Sequence, residues 1–207
     1  MKFLYISFVL TFVVIAISGL ILKVKAETET QKYETIYREG NFEIRYYPVA
    51  IMATVNMNGS YDDSRNSGFR ILAGYIFGGN KENEKIAMTS PVRMGTEDSG
   101  NSMSFVLPSN MEFDNLPTPE NEKIILHQSQ PVYAAAVRYG GYTNEREIEK
   151  KKAELVEVLK GLNLEYDRNF EYLGYNAPYD MINRRNEVLV ELPGFNPELF
   201  KNSIAVR

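Results

Sequence analysis

Two hydrophobic periods alternate along this chain, and the places where one gives way to the other mark out its elements. Phe69, Leu72, Ala73 and Ile76 fall at i, i+3, i+4 and i+7, the single apolar stripe of an amphipathic helix. Gly78-Gly79-Asn80 ends that helix, because glycine adopts the left-handed conformation common at helix C-termini. A second stripe, Ile148, Leu155, Leu159 and Leu162, predicts a second helix, with Asn144 and Glu147 spaced as a capping box and Gly161 at its end. Between and around the helices the runs are short, apolar or alternating. Residues 33–38, 42–47, 49–57, 86–92, 103–107, 123–127, 131–139, 170–173 and 187–192 read as strands. Glu39-Gly40-Asn41 is a hairpin turn, and residues 59–63 are a turn in which Asp62 or Asp63 caps the first helix. Residues 96–102 read as a polar loop. Residues 108–122, with three prolines, form the longest loop and the connection between two halves.

The halves match. An offset of 82 positions lays Gly59 on Gly141, Val55 on Val137, Ala53 on Ala135 and Asp62 on Asn144. Each half then reads strand–strand–helix–strand–strand, and one duplicated pair is too few for a solenoid. An α+β domain packed around one core is expected. The two helices differ on their outer faces. The second exposes Glu147, Lys150, Glu154 and Glu157, a solvated charged surface. The first exposes Ser67, Ile71, Gly74 and Gly78, with Arg70 on the flank, so it is nearly bare of side chains. A glycine inside a helix costs about 1 kcal/mol relative to alanine. Two reasons for it compete: a flat ligand lies on this face, or Gly74 lets a loop pack closely.

Two longer stretches carry a family likeness. GYIFGGNKENEKIAMTSPV (Gly74 to Val92) resembles the signature of the SOUL heme-binding family, in which an aromatic-Gly-Gly-Asn turn precedes K-I-A-M-T-x-P-V. YNAPYDMINRRNEV (Tyr175 to Val188) resembles that family's C-terminal hairpin. The resemblance covers roughly Tyr33 to Leu192; Ser90 departs from it, small residue for small, where the family mostly has alanine. It implies a distorted antiparallel β-barrel with two α-helices in pseudo-twofold relation, and non-covalent, reversible binding of heme or a related tetrapyrrole against the first helix. Carried onto this chain, the platform would be Ile71 and Gly74, with Tyr75 and Phe77 beside them. The propionate partners would come from Arg65 and Arg70, with Arg184 or Arg185 from the hairpin. The plain alternative for each arginine is a surface ion pair, worth little. Met88 reads as core filling rather than axial ligand. His127, the single histidine, alternates with Leu126 in a strand of the second half, far in sequence from the bare helix. Heme held without a histidine ligand, or by tyrosine or methionine, is therefore the expectation.

Composition narrows the chemistry. The chain contains no cysteine, which excludes disulfides, thiolate ligation, covalent C-x-x-C-H heme attachment, iron–sulfur clusters and cysteine zinc sites. One histidine cannot build a histidine metal cluster, and neither a G-x-S-x-G elbow nor a P-loop is present. No enzyme is expected. Other readings of the duplicated architecture are a GyrI-like cleft for another amphiphilic small molecule, or a hydrolase using that cleft with Glu187 and Tyr179. Glu187, however, lies on the strand face opposite Val188 and Val190. At the N-terminus, residues 3–22 are an unbroken run of apolar, small hydroxyl and glycine residues between Lys2 and Lys23. The run is long enough for a membrane anchor. Val24-Lys25-Ala26 also has the small residues of a signal-peptide cleavage site. Residues 1–26 are read as one or the other, 27–32 as a polar tether and 33–207 as the ligand-binding domain, exported or membrane-anchored. The formal charge of −4 becomes −7 once the three lysines of residues 1–26 are removed. With no basic stripe, nucleic acid is not an expected partner.

Overall fold

The computed structural model describes residues 28–57, 61–97, 100–177, 180 and 182–205; the N-terminal apolar run, the first two residues of the expected turn at 59–63 and Tyr179 lie outside them. In chain order the elements are β1 (Glu29–Thr30), β2 (Glu34–Glu39), β3 (Phe42–Tyr47), β4 (Ile51–Met57), α1 (Tyr61–Ile76), β5 (Thr89–Ser90), β6 (Val92–Glu97) and β7 (Gly100–Val106). The second half holds β8 (Ile124–Gln128), β9 (Val132–Tyr139), α2 (Glu145–Leu162), β10 (Phe170–Gly174), β11 (Asn186–Glu191) and α3 (Pro197–Ala205). Nine strands form one antiparallel sheet in the order β2-β3-β9-β11-β10-β6-β7-β4-β8, and β1 pairs in parallel with β5 beside it. The order is symmetric about the β10–β6 pair: β9-β11-β10 on one side mirrors β4-β7-β6 on the other. Ala53 and Val55 of β4 and Ala135 and Val137 of β9 are all fully buried on the helix side.

The closed barrel implied by the family resemblance is not formed. Among the described residues the sheet ends at β2 and β8, which do not pair with one another. The β2 edge is interrupted by a bulge between Thr35 and Tyr37 and carries Glu34, Arg38 and Glu39, devices that discourage further pairing. Other boundaries also shift. Residues 96–102 fold mostly into strands β6 and β7 rather than a polar loop, and 86–92 contribute only the short β5 before β6 begins. α1 starts at Tyr61, so Asp62 and Asp63 fall inside its first turn. α2 runs past Gly161 and is closed by Asn163 in the left-handed conformation, while Asn144 accepts from the Glu147 amide as its spacing predicts. The sequence reading missed α3.

Both helices expected from periodicity lie on one face of the sheet. Leu72, Tyr75 and Ile76 of α1 and Ile148, Leu155 and Leu159 of α2 meet inward residues of β3, β4, β7, β9 and β11 in one core. Phe69 rests its ring edge-on against Phe105 at 5.4 Å. Among the described residues, no helix is long and apolar enough to cross a membrane.

The end of α1 is fixed with unusual completeness. Gly78 takes φ +109°, and the Gly79 amide donates to the Gly74 carbonyl at 2.8 Å. A Cβ on Gly79 would sit 2.8 Å from that carbonyl oxygen, a backbone atom that cannot move aside cheaply. Asn80, fully buried, donates to the Tyr75 and Glu84 carbonyls and accepts from the Glu84 amide. The Ile86 amide then donates to the Ile76 carbonyl at 2.8 Å. The Gly-Gly-Asn turn is thus a fold device. Gly79→Ala is expected to cost about 1–3 kcal/mol, the usual range for forced overpacking, as a lowered midpoint in urea unfolding followed by circular dichroism.

Candidate functional site

The outer face of α1 matches its sequence reading. Ser67 and Arg70 are exposed, Ile71 is half-buried, and Phe77, just past the helix, is 65% exposed. Gly74 lies between Ile71 and Phe77. Among the described residues a Cβ there would meet nothing within 4 Å, and its φ is not in the left-handed region. Neither close packing nor backbone conformation requires glycine at this position. That removes the packing reason and leaves an open, flat patch bordered by an aliphatic and an aromatic side chain.

Tyr75 does not belong to that patch. It faces the core, 1% exposed, and its hydroxyl donates to the Pro117 carbonyl. Burial, together with the charges of Glu82 and Glu84, pushes its phenol up to about 12. The arginines also separate. Arg65 and Arg70 are exposed and form no ion pair among the described residues. Arg65 and Arg184 both act on the Tyr172 phenol: burial and Tyr139 push it up to about 12, against the pull of the two guanidinium charges. Arg184 also closes the C-terminal hairpin through the Ala177 and Asp180 carbonyls and stacks 4.7 Å from the exposed Tyr142 ring; its Nε is buried without a partner. Arg185 projects to the other face of the sheet, where Glu187 and the Tyr33 hydroxyl hold it. Alternation along β11 dictates this, since consecutive residues point to opposite faces.

His127 is on that other face as well. Its Nε2 lies 2.9 Å from Thr54 Oγ1, which in turn lies 2.7 Å from Ser104 Oγ. The sheet therefore stands between the imidazole and the outer face of α1. Met88 is half-buried against the core. Among the described residues, no group of histidine, cysteine, aspartate or glutamate is arranged to hold a metal ion.

The second face holds a network centred on Arg45, which the sequence reading did not single out, and it takes in Arg185 and Glu187, which that reading gave other roles. Arg45, 1% exposed, makes a bidentate pair with Glu187, 0% exposed, at 2.6 and 2.9 Å. The remaining Arg45 donors reach Glu43 and the Tyr47 hydroxyl, and its guanidinium lies 4.2 Å over the Tyr33 ring. Glu187 also accepts from Arg185 and from the Tyr175 hydroxyl. Burial alone would raise the Glu187 carboxyl. The Arg45 hydrogen bonds and the Arg45 and Arg185 charges outweigh it and hold the group below the usual carboxylate range. Arg93 pairs with Glu171 and donates to Gln31 beside this network. The signal in the sequence was slight: opposite charges two residues apart on one strand face, Glu43 with Arg45 in β3 and Arg185 with Glu187 leading into β11.

Residues 28–191 match the family model described as SOUL heme-binding protein. The chain belongs to the SOUL family. Heme-binding protein 2 of Homo sapiens is 28% identical over 158 residues, covering 72% of this chain and 77% of the relative. Heme-binding protein 1 of Xenopus laevis is 27% identical over 156 residues, covering 71% and 81%. Among solved structures, the EcmrR C-terminal domain superposes with a TM-score of 0.57 at 10% identity, over 74% of this chain and 98% of that one. A hydrolase from Listeria innocua superposes at 0.51 and 11% identity, over 76% and 93%. At such identities these two likenesses speak for the fold alone. In this SOUL chain the motif residues Gly79, Asn80, Asn186 and Glu187 serve the fold; Asn186, for instance, accepts from the Tyr172 hydroxyl and donates to the Gly141 carbonyl.

A carboxylate whose folded pKa is depressed stabilises the fold above its unfolded pKa, about 4.3 for glutamate, and the contribution is lost as pH falls through the folded value. Glu187→Gln should therefore lose about 3–5 kcal/mol at pH 7, the cost of breaking a buried pair. Its stability should also fall less than that of the unaltered protein between pH 7 and the acid range. Replacing both partners, Arg45→Met with Glu187→Leu, should cost less than either single change. Urea unfolding across pH checks all three.

Proposed function

We propose that this SOUL chain binds heme, or a closely related tetrapyrrole, reversibly and without a covalent bond on the outer face of α1. The observation that carries the reading is Gly74, whose lack of a side chain serves neither packing nor backbone, lying between exposed Phe77 and half-buried Ile71. A flat apolar ring needs such an open platform, and two anionic propionates need cations at its rim. Ile71, Gly74 and Phe77 would lie under the ring. Arg70, exposed on the flank of that face, is the basic side chain placed to meet its edge, whereas Arg65, nine residues before Gly74, lies on the opposite side of the helix and acts with Arg184 on Tyr172. Heme bound there would supply its iron, and this chain would supply the platform and the charge, without histidine as a ligand. Family membership and the heme-binding proteins among its relatives support the choice of ligand.

The protein carries its ligand and does not convert it. A hydrolase working in the opposite cleft would need Glu187 as a free acid or base, whereas both of its oxygens are occupied by arginine and tyrosine donors. The symmetric sheet order and the residue matches at the 82-position offset support an internal duplication in which the first helix alone acquired the site. The N-terminal apolar run supports an exported or membrane-tethered domain.

Hemin titration of the purified protein, followed in the Soret band, tests the reading. Binding should saturate, with the same bound spectrum in His127→Ala. Ile71→Glu should put an anion against the ring and weaken affinity tenfold or more, about 1.4 kcal/mol, with an unchanged unfolding midpoint. A spectrum lost in His127→Ala would move the ligand to the other face of the sheet. Unchanged affinity in Ile71→Glu would move it off α1.

A further inference from the structure

The two edges of the nine-stranded sheet are built differently. β2 carries its bulge and the charges of Glu34, Arg38 and Glu39. β8 has no proline and no acidic, lysine or arginine side chain, and its register with β4 runs unbroken from Ile51↔Gln128 to Val55↔Ile124. Ile125, on the sheet face away from α1, is 49% exposed. A flat edge with an exposed apolar side chain is a template for another strand unless something blunts it. The backbone of β8 is in phase for one. The Ser129 amide donates to the Ala50 carbonyl at 2.8 Å, while the Ile51 carbonyl is taken by the Leu107 amide just past β7. Antiparallel ladders alternate, so Ile125 and His127 bond to β4, and Leu126 and Gln128 direct their N–H and C=O groups away from it. Among the described residues, nothing else in the fold takes up those groups.

We propose that β8 pairs antiparallel with β8 of a second copy of this chain, about a twofold axis at Leu126, so that two sheets join into one. The register favours a copy of the same chain as the occupant. Leu126 then exchanges both of its backbone bonds with Leu126 of the partner subunit. The Gln128 amide donates to the carbonyl of Ile124 of the partner subunit; the Ile124 amide is not needed, being already held by the Asn121 carbonyl at 3.1 Å. Ile125 lies beside the partner's His127, Lys123 beside the partner's Ser129 and Glu122 beside the partner's Gln130, so no like charges meet. The same operation applied to β2 would set Glu34 against the partner's Glu39. A strand complementary to itself suits an isologous twofold contact, in which one patch serves both subunits. No residue of α1 takes part, so the inference does not depend on the ligand held there.

Sedimentation velocity of the purified full chain, kept in a mild detergent for its N-terminal apolar run, should show monomer passing to dimer as concentration rises. Ile125→Lys puts a charge on the edge and should raise the dimer dissociation constant about tenfold or more. Gln128→Pro should do the same by removing an amide that the fold itself leaves unused. Neither change should lower the urea midpoint measured on the monomer. In the unaltered chain, hydrogen exchange at the Leu126 and Gln128 amides should slow as the dimer forms, which keeps the test decisive even where a variant folds poorly. A dimer that both variants retain, or exchange at these amides that is indifferent to concentration, overturns the proposal. So does a chain that stays monomeric throughout, which would leave the edge to an extended segment of another protein.

Discussion

The buried pair of Arg45 and Glu187 is the constraint around which the rest of the domain is arranged. Taking each ion out of water costs several kcal/mol, and attraction repays it only when every remaining donor and lone pair is satisfied. That requirement reaches far. It calls for Glu43 and Tyr47 on the same strand, for Arg185 and Tyr175 at the entrance to the hairpin, and for the Tyr33 ring beneath the guanidinium. It also calls for alanine at 134 and 136, where larger side chains on that face would crowd the network. This face is thus filled by its own side chains, while α1 and α2 cover the other.

The helices were legible because little besides a helix produces an apolar stripe of period 3.6, and Leu72, Ile76, Leu155 and Leu159 all proved to be core. The strands were legible as a set, though the ends of β6 and β7 were lost in a segment whose glycines and hydroxyls look like loop. The polar face was not legible, because Phe-Glu-Ile-Arg-Tyr-Tyr alternates in the same way whether its outward side meets water or a second layer of protein. α3 carried a true start signal, Asn196 before Pro197, and the Asn196 side chain does accept from the Glu198 and Leu199 amides. A helix so short leaves too little periodicity to be read with it. The site was half legible. Ile71, Gly74 and Phe77 stand where the period placed them, but Tyr75 turned inward and Arg185 crossed the sheet, each by a rotation that spacing alone would have settled.

Gly74 and Gly79 lie five residues apart in one motif and answer to different demands. At Gly79 the backbone of the preceding turn leaves no room for a side chain; at Gly74 there is room and nothing fills it. A family signature read only as a string treats the two alike. Their surroundings separate the residue that ends the helix from the residue that leaves its surface open.

The polar network also orders events in time. Arg45 and Glu187 are 142 residues apart in the chain, and Tyr33 and Arg185 are 152 apart. Contacts of such separation form late, because the loop they close must first be gathered in. A nascent chain that has made its first three long strands holds Arg45 by hydrogen bonds to Glu43 and Tyr47 alone, and it cannot finish the network until the hairpin before Asn186 has emerged from the ribosome. Completion of the core is thereby postponed until the chain has been made at least as far as Glu187.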